Sequence, residues 1–294
     1  MQLRTKAHMA VLAANVIYGM SFSAIKLLTT GYMPAFSLNV VRILGAAPLF
    51  WLLYLIKPGR AGIRRQDIPR FVLCALTGVA INQLLFVKGI SLTTSIHASI
   101  LSLVSPIFIT AAAGWLLREK FTRWKAWGLA LGISGAVSIV SARSVPGSPA
   151  ENMLLGDVYV IINAISYSLF FVLVKPLMTR YKPLHVIRWV FTLGVGMILP
   201  FGWSDFLATD FAQFTPQAWA ALALVVLAMT FLAYILNIYG IKYLGAGITG
   251  MYIYTQPVFA SIFGIVLLGE PFSLRLALAA VLIGLGVLLV NKKA

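Results

Sequence analysis

Two stretches of this chain read as divergent copies of each other: residues 89–121, GISLTTSIHASILSLVSPIFITAAAGWLLREKF, and residues 240–272, GIKYLGAGITGMYIYTQPVFASIFGIVLLGEPF. A shift of 151 aligns them without a gap, with identity at Gly89/Gly240, Ile90/Ile241, Pro106/Pro257, Phe108/Phe259, Leu116/Leu267, Leu117/Leu268, Glu119/Glu270 and Phe121/Phe272. Each is an apolar run long enough, as a helix, to cross a hydrocarbon core of roughly 30 Å, with one proline inside and one glutamate at its end. Shared apolar composition does not account for matching prolines and glutamates, so the chain contains an internal repeat.

The repeat extends in both directions. Gly135 and Gly286 continue the register, and Tyr18/Tyr167, Lys26/Lys175 and Pro34/Pro183 match at a shift of 149. The surrounding composition is that of a membrane protein: 61% of the 294 residues are apolar and 10% charged, against roughly 25% charged in an average soluble domain. Near-continuous apolar windows place helices at 8–28, 35–56, 69–90, 93–117, 122–142, 154–175, 184–203, 216–241, 247–268 and 272–291. The expected fold is an all-α polytopic membrane protein of about ten transmembrane helices in two units, residues 1–143 and 153–294, joined by a linker at 144–152 that holds Ser-Val-Pro-Gly-Ser-Pro. Five helices per unit is an odd number, so the second unit enters the membrane from the opposite side. Such inverted repeats belong to transporters whose sites lie near the bilayer midplane.

Charge sets the orientation. Of the 23 Lys and Arg, only Lys26, Arg42, Lys88, Arg143 and Arg275 fall on or near one side, and the rest collect on the side of the N-terminus. The positive-inside bias then puts both termini in the cytoplasm. The net charge of +16 is therefore read as topological, because the cations are dispersed between apolar runs and form no basic stripe for nucleic acid. Arg4 and Lys6 before an apolar run resemble a signal peptide, but the run has a counterpart in the second unit and reads as an uncleaved first helix. Cys74 is the only cysteine, which excludes an internal disulfide and a thiolate metal cluster.

The stretch Asn15-Val-Ile-Tyr-Gly-Met-Ser-Phe-Ser-Ala-Ile-Lys26, with Arg42 downstream, and the two segments ending in Glu119 and Glu270 resemble the EamA repeats of the drug/metabolite transporter superfamily. The likeness covers nearly the whole chain and is sharpest in the Pro106 to Glu119 and Pro257 to Glu270 spacings. It implies a ten-helix exporter or exchanger of metabolites such as amino acids in a bacterial inner membrane, with a cavity lined mainly by spans one, three, four, six, eight and nine. The two halves depart from strict pairing where Arg118 stands opposite Gly269 and where the second-half arginine is at 188 instead of the aligned 191.

Polar groups inside spans cost several kcal/mol unless they find partners, so those retained are candidates for the site. Asn15 and Tyr18 on the first span and Asn163 and Tyr167 on the sixth form two similar polar clusters, and Asn82 and Gln83 on the third accompany Tyr234 and Asn237 on the eighth. Tyr252 and Gln256 flank the second proline, and His97 is the one histidine inside an apolar run. All of these are candidate substrate-binding residues, and interhelical hydrogen bonding or packing is the alternative for each. Pro106 and Pro257 are candidate hinges, each expected to free a carbonyl four residues earlier, at Ser102 and Ile253. Glu119, Glu270 and Arg42 are candidate gate or structural charges. Lys26, Arg42 and Lys88 either draw a substrate carboxylate or snorkel to headgroups.

Other function classes lack their chemistry. No phosphate-cradling Gly-x-x-x-x-Gly-Lys-Ser/Thr loop is present for an ATP-driven pump. His8, His97 and His185 are dispersed and no carboxylate sits at mid-span, which argues against an enzyme, a bound metal or another cofactor, and against lipophilic-cation antiport. The expected function is secondary transport of a small polar or amphipathic metabolite, with import, exchange or receptor-like binding as alternatives. Its expected partners are the lipid bilayer and the substrate; oligomeric state is left open.

Overall fold

The computed structural model describes residues 2–56, 62–116, 123–140 and 152–290. In chain order the helices are α1 (Gln2–Gly31), α2 (Ala35–Ile56), α3 (Arg65–Leu92), α4 (Ser95–Ser102 with Ser105–Leu116), α5 (Arg123–Val140), α6 (Met153–Arg180), α7 (Pro183–Leu207), α8 (Pro216–Leu244), α9 (Ala246–Met251 with Gln256–Leu268) and α10 (Leu274–Val290). Among the described residues eight helices are long and apolar enough to cross a membrane, and α5 and α10 are shorter apolar ones. Most of the linker lies outside the described residues, but Asn152 caps α6 by accepting from the Leu155 amide.

Several helices outrun their apolar windows. The first starts at Gln2 instead of residue 8, the third at Arg65 instead of 69, and the sixth runs through Pro176 to Arg180. Hydropathy marks only the part of a helix inside hydrocarbon. The backbone bonds are internal to the helix and continue into the polar headgroup layer without loss.

The surface is that of a membrane protein, around an interior that is itself mostly apolar. Val266 and Leu274 are about three-quarters exposed (74% and 76%), and Leu55, Phe201, Leu227, Val258, Ile262 and Val281 also point outward. Asn15, Lys26, Arg42, Asn82, Gln83, Asn163 and Asn237 are buried. An apolar belt of this extent faces lipid, and the polar groups turn inward where they can find each other.

The inversion is visible in the packing. Gly89 of α3 lies against Val160 of α6, and its counterpart Gly240 of α8 lies against Val11 of α1. Since Val11 and Val160 correspond at the shift of 149, these are the same contact made twice across the two halves. Likewise α4 packs on α6 while α9 packs on α1. Helices α2 and α7, and α5 and α10, pack against their own counterparts, as elements adjoining a two-fold axis must.

Two pairs of irregularities are also mirrored. α4 breaks at Leu103 and Val104 and α9 passes through a 3-10 turn at Tyr252–Thr255, each just before its proline. α3 and α8 widen into π-helical turns at Leu76–Ala80 and Leu224–Ala233. The prolines thus stand in the first turn of a restarted helix, where a missing N–H costs nothing, instead of kinking a continuous one.

Candidate functional site

The four irregular segments surround one point. A π-helical turn or a helix break leaves main-chain carbonyls without their usual i+4 donor, and inside a membrane protein another group must supply it. In the second half the Thr230 and Thr255 hydroxyls donate to the Val225 and Tyr252 carbonyls of their own helices, whereas for the first half the donors come from the opposite half. Ser166 of α6 donates to the Thr77 carbonyl at 2.7 Å, Asn163 Nδ2 to the Asn82 carbonyl at 2.8 Å, and Ser168 to the Ser105 carbonyl at 2.9 Å. The Tyr234 hydroxyl of α8 lies 3.2 Å from both the Gly78 carbonyl and Asn82 Oδ1, and it accepts from Gln83 Nε2 at 3.4 Å. Gln83 and Tyr234 are themselves counterparts at the shift of 151, so this bond bridges the halves near their pseudo-axis.

Between these groups is a cavity of about 60 Å³, room for about two water molecules. Its walls are Tyr18 from α1, Arg42 from α2, Asn82 and Phe86 from α3, and Ser102 and Ser105 from α4. Asn163 and Tyr167 from α6, Met229 and Tyr234 from α8, and Ile253 and Gln256 from α9 complete it. The six helices implied by the family resemblance are all present, and α2 joins them through Arg42.

Among the sequence-selected residues, Tyr18, Asn82, Asn163, Tyr167, Tyr234 and Gln256 share this chamber. Three others stand one layer behind it. Asn15 accepts from Gln256 Nε2 at 2.6 Å, Gln83 backs Tyr234, and Asn237 Nδ2 donates to the Tyr167 hydroxyl. Two lie elsewhere: Tyr252 pairs through its hydroxyl with His8 Nδ1 at 2.7 Å, and His97 Nδ1 is 3.4 Å from Asp157 Oδ2. Each was selected by its place in an apolar run, but only the direction of the side chain decides which centre it faces.

The charged candidates separate similarly. Glu270 Oε1 and Oε2 accept from the amides of Ser95 and Ile96 and from the Ser95 hydroxyl, which places it at the start of α4. Glu119 lies outside the described residues. Lys26 is buried and donates to the carbonyls of Ser91 and Thr93 at 3.0 and 2.7 Å, and Arg42 is 1% exposed. Neither reaches a headgroup, so snorkelling does not describe them. Sequence reading passed over Thr230, which accepts from Arg42 Nε at 3.0 Å, and Asp157, which also accepts from the Thr93 hydroxyl at 2.7 Å. Asp157 sits one turn inside α6, near a helix end, where a carboxylate carries no mid-span signature.

A larger hollow of about 650 Å³ opens at the face where α1 begins, between the ends of α2 and α8 and the α6–α7 junction. Tyr54, Arg180, Lys182, His185, Arg188 and Lys242 line it. The Arg188 guanidinium stacks over the rings of Tyr54 and Trp51 at 3.9 and 4.5 Å, a cation–π arrangement that holds a buried charge in place.

Removing the Tyr234 hydroxyl tests whether the central bridge holds the halves together. The Tyr234→Phe variant strands the Gly78 carbonyl and is expected to lose about 1–2 kcal/mol of stability, read as a lower melting temperature in detergent. An unchanged melt would show that water replaces the hydroxyl.

The description EamA-like transporter family matches residues 5–141 and again residues 154–292. An uncharacterized transporter, YetK, of Bacillus subtilis (strain 168) is 28% identical over 292 residues, covering 98% of this chain and 88% of that one. A probable terminal-alkyne amino-acid exporter of Streptantibioticus cattleyicolor is also 28% identical, over 293 residues that cover 98% of this chain and 94% of that one. A solved crystal structure superposes with a TM-score of 0.67 at 17% identity, over 98% of this chain and 96% of its own, and is similar in fold. Two matched repeats spanning nearly the whole sequence, on a bundle whose halves meet at a polar centre, make this chain a multi-pass membrane protein belonging to the EamA-like transporter family.

Proposed function

We propose that this transporter moves a small polar or amphipathic metabolite, an amino acid or related compound, out of a bacterial cell by alternating access. The central chamber carries the proposal: it lies at the meeting point of the two inverted halves and draws walls from both. In this structure it is contracted to about 60 Å³ while a hollow of about 650 Å³ stands at the face where α1 begins. Enlarging the chamber requires the halves to move apart, and the breaks before Pro106 and Pro257 are where α4 and α9 can bend. The cation-rich face is the cytoplasmic one in this reading, with both termini there. Amides and hydroxyls offer both donors and acceptors for a polar head, and Phe86, Met229 and Ile253 offer an apolar wall. Export of an amino-acid-like solute accords with the description of the relative from Streptantibioticus cattleyicolor.

Counterflow in proteoliposomes preloaded with a mixed amino-acid panel tests this. The wild type is expected to accumulate labelled substrate above protein-free vesicles, and the Tyr167→Ala, Asn237→Ala double variant, which dismantles one chamber wall, to lose at least about tenfold of that rate, or about 1.4 kcal/mol. Accumulation by neither protein would remove amino acids as the substrate class. Binding of panel members without accumulation would instead make the chain a receptor.

A further inference from the structure

Among the described residues of the central wall Arg42 is the one that is charged, and its surroundings do not neutralise it. It is 1% exposed, on α2. Its Nε donates to the Thr230 hydroxyl at 3.0 Å and its Nη1 to Asn39 Oδ1 at 3.5 Å, both neutral acceptors. Among the described carboxylates, Asp67 is held by Arg180 and Tyr181, Asp157 by Thr93 and His97, Glu270 by the start of α4 and Asp210 by Gln213 and the Ala212 amide, and neither these nor Asp205, in the last turn of α7, forms an ion pair with Arg42. A guanidinium has five N–H donors, so three remain on the two terminal nitrogens, in the planar fork that fits two carboxylate oxygens. A buried cation without a counter-ion is costly, and an anionic ligand removes that cost.

A second observation points to the same place. Tyr18 lines the cavity, and its buried hydroxyl lies beside those of Tyr167 and Tyr234 without a well-formed hydrogen bond. Its O–H is a further donor at the chamber wall. No carboxylate is found among the cavity-lining residues, so a substrate ammonium would meet only neutral acceptors such as Asn82 Oδ1 and the Ser102 and Ser105 hydroxyls. The chamber is also polarised across the pseudo-axis. The counterpart of Arg42 at the shift of 149 is Phe191, an apolar ring set edge-on to Tyr234 at 5.0 Å between centroids. The cation thus has no counterpart on the other side of the pseudo-axis, where an apolar ring backs Tyr234.

We infer that Arg42, with the Tyr18 hydroxyl, forms a carboxylate-binding subsite that selects substrates bearing a carboxylate and orients them with that group toward α2. This rests on the transport reading above and specifies its substrate class. In it the rest of the substrate extends toward Phe86, Met229 and the α7 side, and loss of the carboxylate removes the ionic anchor.

The test is proteoliposome counterflow with a panel of amino acids, each paired with its amide and with its deaminated acid, such as leucine, leucinamide and 4-methylpentanoate. Wild type is expected to carry members with a carboxylate and to exclude the amides. Arg42→Gln should lower carboxylate transport at least about tenfold, while Arg42→Lys, which keeps the charge but loses the fork, should raise KM several-fold with a smaller change in maximal rate. Relief of an uncompensated buried charge should leave the melting temperature of Arg42→Gln at or above that of wild type, which a purely structural arginine would not do. Equal transport of leucine and leucinamide by wild type, or undiminished carboxylate transport by both variants, overturns the subsite and leaves the transporter standing. Transport of no member by wild type overturns the amino-compound reading itself, and the subsite with it.

Discussion

Replacing Glu270 with alanine is expected to cost about 3 kcal/mol of stability, seen as a large drop in the melting temperature of the detergent-solubilised protein. The carboxylate is 5% exposed and accepts at 2.7 Å from the Ser95 amide, at 2.7 Å from the Ser95 hydroxyl and at 3.0 Å from the Ile96 amide. These are first-turn donors of α4, groups that no carbonyl of their own helix can satisfy, at the end where the helix dipole favours negative charge. Alanine leaves two buried amides without an acceptor. Glutamine keeps an acceptor oxygen but aims an N–H₂ group at other donors, so Glu270→Gln should fall between alanine and wild type. The bond also ties the α9–α10 connection of the second half to a cavity helix of the first, so the loss should reach transport as well. A melt within a degree or two of wild type would mean that another acceptor caps α4.

A second large loss is expected from a single added methyl group. At Gly156 a Cβ would stand 2.8 Å from the Thr93 amide nitrogen, 2.9 Å from the Gly89 carbonyl oxygen and 2.9 Å from the Leu92 carbonyl carbon. All three are main chain and cannot swing aside, so α6 must move off the α3–α4 corner. Gly156→Ala is expected to cost about 2–3 kcal/mol, although alanine is intrinsically the better helix former. Gly196→Ala, in α7, is the matched control, since nothing lies within 4 Å of its added Cβ. It should be neutral or stabilising by up to about 1 kcal/mol. Equal melting of the two variants would show that the α3–α6 crossing is looser than this geometry requires.

Both sites show where sequence reading reached its limit. The match of Glu119 with Glu270 marked each as a recurring charge, yet Glu270 acts by capping a helix in the other half, 175 residues before it. Gly89 and Gly240 were visible as an identity, whereas Gly156 has no such mark in the sequence and owes its importance to what crosses it. Among the site residues, Tyr18, Asn82, Asn163, Tyr167, Tyr234 and Gln256 were selectable because a polar group in an apolar span must find a partner. His97 and Tyr252 met the same criterion and found partners elsewhere, in Asp157 and His8. Arg42 was legible as an intramembrane cation, but its place in the chamber, with Thr230 and Asn39 as its acceptors among the described residues, was not.

The sequence by itself determined the solvent, the helices and the inversion. Apolar run length and a repeat at a nearly constant shift are local or pairwise properties of the chain. Each has one physical reading in a bilayer. Only the tertiary structure decided the centre. The π-helical turn at Leu76–Ala80 and the break before Pro106 lie where the opposite half supplies donors to the Thr77, Gly78 and Ser105 carbonyls, while in the second half the Thr230 and Thr255 hydroxyls serve the Val225 and Tyr252 carbonyls beside them. Such irregular backbone is stable only in the company of its partners. No property of one helix taken alone foretells it.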